Sequence, residues 1–343
     1  MLLPAVFWVH GAERCVDTAS GQGRVRVVFA TLTDGEHLHA ALGHFTRAAE
    51  RLHLAQPSLS RQVATLEREL GVELFHRVRG NITLTAAGEH LLPIARRMLA
   101  DADTARGEMA ELAGLRRGRI RLGATPTLCT SLVTEVLADY RQRYPGIDIE
   151  ILERGSRSLI AALVEGGLDL ALIVTSVSSE AARAVLEREP ILSERLVVVS
   201  SADAPDPFSH ATNGAVSLAQ LAAVPQVSFP ENYDLRVAMD AAFGAAGITP
   251  AVAVEGAEMD AALRFAERGI GVAVVPAMVA VNRTSLRATP LASPVGEATL
   301  KRTISIARRS DMAPTHAAAA MQSLIREVAD RFAVLDHGLV SRV

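Results

Sequence analysis

Between residues 56 and 65 the chain places six short or forked hydrogen-bonding side chains in ten positions: Gln56, Ser58, Ser60, Arg61, Gln62 and Thr65. An ordinary solvated helix face carries Glu and Lys instead. Gln and Arg can pair bidentately with the major-groove edges of adenine and guanine, while Ser and Thr suit phosphate and mixed contacts. Base readout in double-stranded DNA is therefore the chemistry these types suggest; a polar stripe facing solvent is the bland alternative. Pro57 stands among them and suits a first helical turn, where its missing N–H would have no partner anyway. Arg77 and Arg79 follow, placed to reach phosphates or a minor groove. Ion pairing to Glu73, or plain solvation, is the competing reading for each.

A helix must present the first group. Leu59, Val63, Leu66 and Leu70 recur at spacings of four, three and four, which predicts a helix from about Pro57, closed by Gly71. A shorter helix precedes it, with Ala48, Ala49 and Leu52 on one face and Thr46 as its N-cap and a further DNA-side residue. Two short helices this close, with small residues at their crossing, make a helix-turn-helix. Two strands, 75–78 and 82–84, flank the turn-forming Arg79-Gly80-Asn81 and read as a wing. Beyond it Leu91, Ala95, Met98, Ala102, Ala105 and Met109 alternate spacings of four and three, a heptad seam. A dimer through that seam would offer two recognition helices to the half-sites of a palindrome. Packing on its own domain is the alternative, and Pro93 is expected to bend the helix near its start.

The chain's 343 residues suffice for two or three domains, and its net charge of −3 hides a local bias. From His44 to Arg97 eight arginines face five glutamates, a basic end on a mildly acidic protein. Cys15 and Cys129 cannot build a disulfide framework or a zinc site, so a reducing compartment is the simplest setting. The apolar stretch 2–9 lacks a basic leader, and the run 269–281 is broken by Pro276 and too short for a bilayer. We expect a cytoplasmic protein with no membrane partner, no metal and no cofactor. No Gly-x-Ser-x-Gly, phosphate loop, Gly-x-Gly-x-x-Gly at a strand end or His/Cys cluster supports an enzyme.

The segment FTRAAERLHLAQPSLSRQVATLERELGVELFHRVRGNITLTAAG resembles the DNA-binding domain of the LysR-type transcriptional regulators, densely from His44 to Gly88. Its AAERL, QPSLSRQ, LE-LG-LF-R and LT-AG elements carry the resemblance. The resemblance implies that Gln56, Pro57, Ser58, Arg61 and Gln62 stand at recognition positions and Arg77 in the wing. It also implies dimers, often tetramers, built through the long helix. One departure concerns the family's amphipathic first helix. The residues before His44 are DGEHLHAALG, from which 37–42 would give only a shortened version. Were that helix missing, the chain would be a DNA-binding-impaired or orphan small-molecule-binding protein.

After Gly118 the texture changes to apolar runs alternating with helical stretches, first at 120–123, 147–152 and 168–174, a βαβαβ pattern. Further strands follow at 196–200, 227–229, 249–254, 271–275 and 302–307, with a closing helix over 314–332. Ligands in open α/β sheets bind at strand carboxyl ends, beside helix N-termini. Thr125 and Thr127, Ser156, Thr175, and Phe229 with Asn232 stand at such ends, where hydroxyls could hold a small carboxylate or merely cap helices. The resemblance implies two α/β lobes of periplasmic-binding-protein type with an effector between them. A thiol-redox sensor would need a partner thiol near Cys129, which reads as a small buried residue instead. The expected organisation is an α/β protein: an unassigned extension (1–36), a winged helix-turn-helix (37–88), a linker helix (89–117), the effector-binding domain (118–335) and a tail (336–343). Promoter DNA, a small effector, a second copy of the chain and RNA polymerase are its expected partners.

Overall fold

The structure, a computed structural model, describes residues 49, 55–78, 81–112, 118–174, 185–211, 214–231, 233–280, 283–292, 300–335 and 338–343. They form two compact units that divide inside one long helix, between Ala105 and Arg106, and each is described by itself. The extension 1–36, the shortened helix 37–42, Thr46 and the connection at 113–117 lie outside the described residues.

In the first unit, α1 (Gln56–Leu70) starts with Pro57 in its first turn and ends where Gly71 takes φ +71°. That left-handed conformation is one that glycine adopts without the Cβ clash of other residues. Leu59, Val63 and Leu66 line the buried stripe and meet Leu74, Phe75, Leu92 and Ala95 in one small core. β1 (Phe75–Val78) and β2 (Asn81–Leu84) pair antiparallel, Phe75 opposite Leu84 and Arg77 opposite Ile82. Three polar contacts fix the wing to the helices. Glu67, almost fully buried on α1, accepts the N–H groups of Leu74 and Phe75 on one carboxylate oxygen, at 2.9 and 3.3 Å. Thr85 donates its hydroxyl to the Glu73 carbonyl at 2.6 Å and accepts the Gly88 N–H at 3.1 Å. It thereby caps α2 (Ala86–Leu112), which continues through Pro93. A Cβ on Gly88 would lie 2.3 Å from the Leu74 carbonyl oxygen, so only glycine lets α2 rest against that loop.

The second unit is built on one mixed sheet whose strands run in the order Leu286–Pro290, Leu186–Ser201, Lys301–Arg309, Leu170–Val174, Gly118–Ala124 and Ile147–Glu153, with Ala273–Pro276 and Val340–Arg342 also paired to Leu186–Ser201. β3 (Gly118–Ala124) is flanked in parallel by β4 (Ile147–Glu153) and β5 (Leu170–Val174). β11 (Lys301–Arg309) runs antiparallel to β5 and to the first part of β6 (Leu186–Ser201). These strands form the first lobe. One layer of it is a helical stretch comprising a turn at Pro126–Leu128, a π-helical turn at Cys129–Val133 and α3 (Thr134–Arg143). α4 (Ser156–Val164) adds Leu159 and Leu163 to a separate cluster with Leu168 and Ile173.

β6 then leaves the first lobe and continues into the second. Its last residues pair with β9 (Ala273–Pro276) and β10 (Leu286–Pro290). α5 (Leu218–Ala222), the parallel pair β7 (Gln226–Val227) and β8 (Val252–Val254), α6 (Asp234–Ala246) and α7 (Met259–Glu267) complete this lobe. α8 (His316–Leu335) returns to the first lobe, where the buried Tyr140 hydroxyl donates to the Ala317 carbonyl at 3.0 Å. β12 (Val340–Arg342) joins β6 opposite 192–194, so part of the expected tail is sheet. The two-lobed α/β expectation holds, with one correction. The sheet is mixed, not parallel throughout, because β11 runs antiparallel to both β5 and β6, and β6 runs antiparallel to β9, β10 and β12. β6 also begins ten residues before its expected start. The sequence hides that part because LEREP alternates charges and contains Pro190, which a strand tolerates at an irregularity; the β6–β11 register shifts between Ile304 and Ser305, opposite Pro190.

The same substitution should act with opposite signs at two glycines. Gly88→Ala forces a backbone shift and is expected to lower stability by about 1–3 kcal/mol. Gly244→Ala, in α6 with nothing within 4 Å, should raise it by about 0.5–1 kcal/mol. Chemical denaturation followed by circular dichroism checks both, and equal signs would refute the packing argument.

Candidate functional site

The outer face of α1 carries the candidate DNA interface. Its N-cap, Ala55, makes no side-chain cap bond and the first turn has no acidic residue, so the positive end of the helix dipole is uncompensated by a side chain. Gln56, Pro57 and Arg61 are exposed, with Ser58 and Ser60 half-buried beside them. Gln56 Nε2 donates to Ser60 Oγ at 3.1 Å, one turn along the same face. Arg61 Nε donates to the Pro57 carbonyl at 3.3 Å, and the Thr65 hydroxyl donates to the Arg61 carbonyl at 2.9 Å. These contacts limit the rotamer freedom of the polar row before any ligand arrives.

Gln62 departs from the expected row. It is 7 % exposed, because position 62 falls on the stripe of Leu59, Val63 and Leu66. Its Oε1 is buried without a hydrogen-bond partner. Helical spacing alone assigns Gln62 to that stripe; residue type drew it to the recognition face. In the wing, Arg77 holds its place in β1, and Arg79 lies outside the described residues.

The expected seam on α2 divides. Ala95 is fully buried in the first unit's own core and Leu91 packs against it. Those two positions are already covered. Met98 (52 % exposed), Ala105 and Met109 (59 %) stand open, with Ala102 half-buried among them.

In the second unit Thr125 and Thr127 follow β3, their hydroxyl oxygens 3.4 Å apart and both side chains buried. Thr127 Oγ1 accepts Arg302 Nη1 at 2.8 Å. Arg302, in β11, also donates Nε to Glu194 Oε2 of β6 at 2.6 Å, and Glu194 Oε1 accepts the Met278 N–H at 2.6 Å. Glu194 is fully buried and Arg302 is 12 % exposed. Ser156 begins α4, and its hydroxyl oxygen accepts the Val174 N–H at 3.0 Å. It thus locks the end of β5 to the helix. Phe229, after β7, is buried and stacks on Tyr233 with centroids 5.3 Å apart. Thr175 and Asn232 lie outside the described residues. The thiol of Cys129 is pushed up to about 12, first by burial and then by the charge and hydrogen bond of Glu153. It therefore stays protonated near neutral pH, which removes the thiolate a redox sensor uses.

Glu194, Arg302 and Tyr233 went unforeseen. Arg302 opens an expected strand and Glu194 lies just before another, so each reads alone as an edge charge. Only their pairing across 108 positions makes them a site. Among the described residues no group of three His, Cys, Asp or Glu could hold a metal ion, and no helix is long and apolar enough to cross a membrane.

Two family models match this chain. The bacterial regulatory helix-turn-helix protein model of the lysR family covers residues 39–89, and the LysR substrate binding domain covers 113–330. The first match takes in part of the 37–42 stretch. The uncharacterized HTH-type transcriptional regulator YybE of Bacillus subtilis is 30% identical over 247 residues, 72% of this chain and 82% of that protein. YnfL of Escherichia coli, described in the same words, is 31% identical over 256 residues, 73% of this chain and 82% of its own. Among solved structures, a full-length OxyR variant from Pseudomonas aeruginosa superposes with a TM-score of 0.63 at 23% identity, over 89% of this chain and 94% of that one. Full-length CbnR in complex with its target DNA gives 0.58 at 23% identity, over 90% and 98%. The chain belongs to the LysR family of bacterial helix-turn-helix transcriptional regulators, DNA-binding proteins that join a helix-turn-helix domain to an effector-binding domain.

Proposed function

We propose that the protein binds an inverted-repeat promoter site as a dimer or tetramer in the cytoplasm and answers there to a small carboxylate effector. The observation that carries the first half is the pre-ordered row Gln56, Ser60 and Arg61 at the uncapped end of α1. Pro57 and Ser58 keep that end slim enough for close approach to the groove. Arg77 in β1 holds a phosphate, and Arg79 and Thr46 add further DNA contacts expected from the sequence. Gln62 supports the recognition helix from beneath and leaves the bases to its neighbours. CbnR, whose structure was solved on its target DNA, supports the docking mode.

Dimerisation uses Met98, Ala102, Ala105 and Met109, the part of the α2 seam that the chain's own core leaves open. The effector enters between the lobes, near Thr125, Thr127, Ser156 and Phe229, with Thr175 and Asn232 as further contacts expected from the sequence. Its binding changes DNA bending and contact with RNA polymerase, through the difference in its affinity for two arrangements of the protein. No step of this function is catalytic.

Arg61→Ala is expected to weaken binding to the cognate site by about 10- to 100-fold, the value of one bidentate base contact. Fluorescence anisotropy across a salt series checks it; binding indifferent to salt and to Arg61→Ala would contradict base and phosphate contacts. Met98→Glu combined with Ala105→Glu should raise the dimer dissociation constant by at least about tenfold, since like charges would meet across the seam. Sedimentation velocity reads this, and an unchanged oligomer would place the seam elsewhere.

A further inference from the structure

Two buried polar atoms of the effector region have no hydrogen-bond partner: Arg302 Nη2 and the Tyr233 hydroxyl. They come from different lobes, Arg302 from β11 and Tyr233 from the turn before α6. The rest of the guanidinium is fixed. Nε donates to Glu194 at 2.6 Å and Nη1 donates to Thr127 at 2.8 Å. Glu194 is itself held by the Met278 N–H. Arg302 is thus rigid, neutralised by one carboxylate, and left with a donor in hand. A buried donor of a charged group without an acceptor from the chain is costly, and native proteins keep such an arrangement where a ligand, an ion or ordered water supplies the acceptor. Tyr233 is a second such donor. Burial raises its hydroxyl above the usual phenol value, with Glu258 and Glu153 adding to this and Arg302 opposing it. It therefore remains protonated, within the fields of these three groups and of Asp260.

The acids complete the pattern. Glu153 ends β4 directly beside Ala124, the residue before Thr125, and receives the Cys129 thiol. Glu258 stands at the N-cap of α7 in the other lobe. Among the described residues neither forms an ion pair. A plain carboxylate would satisfy the two orphan donors, yet its charge would meet a cation already cancelled by Glu194 and two further carboxylates. A cation alone would leave both donors empty. A molecule that carries an ammonium and a carboxylate on the same carbon meets both demands.

We propose that the effector is a zwitterion of the α-amino-acid class, its carboxylate taken by Arg302 Nη2, the Tyr233 hydroxyl and Thr125, its ammonium by Glu153. Glu258 strengthens the ammonium side from the second lobe. The inference rests on reading this region as the effector site. Calorimetric titration of the full-length protein with the twenty common L-α-amino acids, and with the α-hydroxy acids that replace the ammonium by hydroxyl, tests it. At least one amino acid should bind, with its hydroxy-acid counterpart weaker by about tenfold or more. Arg302→Lys should weaken that amino acid by a similar factor. Glu153→Gln, an exposed change that leaves the buried pair intact, should erase the preference for amino over hydroxy acid. Hydroxy acids binding as well as amino acids, or a preference surviving Glu153→Gln, would overturn the zwitterion while leaving a carboxylate effector standing. Binding of neither set would overturn both.

Discussion

One buried carboxylate holds the second unit together. Glu194 sits on β6 at the point where that strand leaves the first lobe and enters the second. It faces Arg302 of β11 on one side and Val340 of β12 on the other. Its two oxygens serve different lobes: one takes Arg302, which in turn holds Thr127, and the other takes the Met278 N–H beyond β9. Removing two charges from water is expensive, and their attraction offsets this only when the geometry is good and the remaining donors are used. Both oxygens of Glu194 are used here, and the guanidinium is not. The pair therefore serves as a junction whose unfinished side faces the candidate effector region.

The first unit solves a similar problem with smaller parts. A winged helix-turn-helix has too little core to hold its wing by apolar burial alone. Glu67 binds two backbone N–H groups of the loop before β1, Thr85 ties the end of β2 to the same loop, and Gly88 lets α2 approach it. α1, the β1–β2 hairpin and α2 are thus all anchored on 73–75. The LE and LT-AG pattern of the sequence maps onto this anchor, while Gln56, Pro57 and Arg61 of the QPSLSR motif lie exposed on the opposite face.

How much was legible follows from the range of each interaction. α1, its glycine stop and the wing emerge from spacings of three and four and from one turn tripeptide, all local signals. The heptad on α2 was equally visible, but periodicity does not say which partner covers it, and Ala95 turned inward to its own core. The residue type of Gln62 suits the polar face, but its helical position falls on the buried stripe, and position prevails. The first lobe's strands were found because their apolar runs are continuous. The start of β6, β10 and β12 were not, since their residues alternate charge or are too few. Arg302 and Glu194 lie 108 positions apart, and nothing near either residue announces the other.

The central claim is that Glu194 and Arg302 act as one unit at the lobe junction, and a double-mutant cycle tests it most directly. Thermal and chemical unfolding of Glu194→Gln, Arg302→Met and the double variant would give the coupling between them. Each single change strands the other charge and should cost about 3–5 kcal/mol, with the double variant no worse than the poorer single one. Losses that add to within about 0.5 kcal/mol would show two independent residues, and the junction described here would not exist.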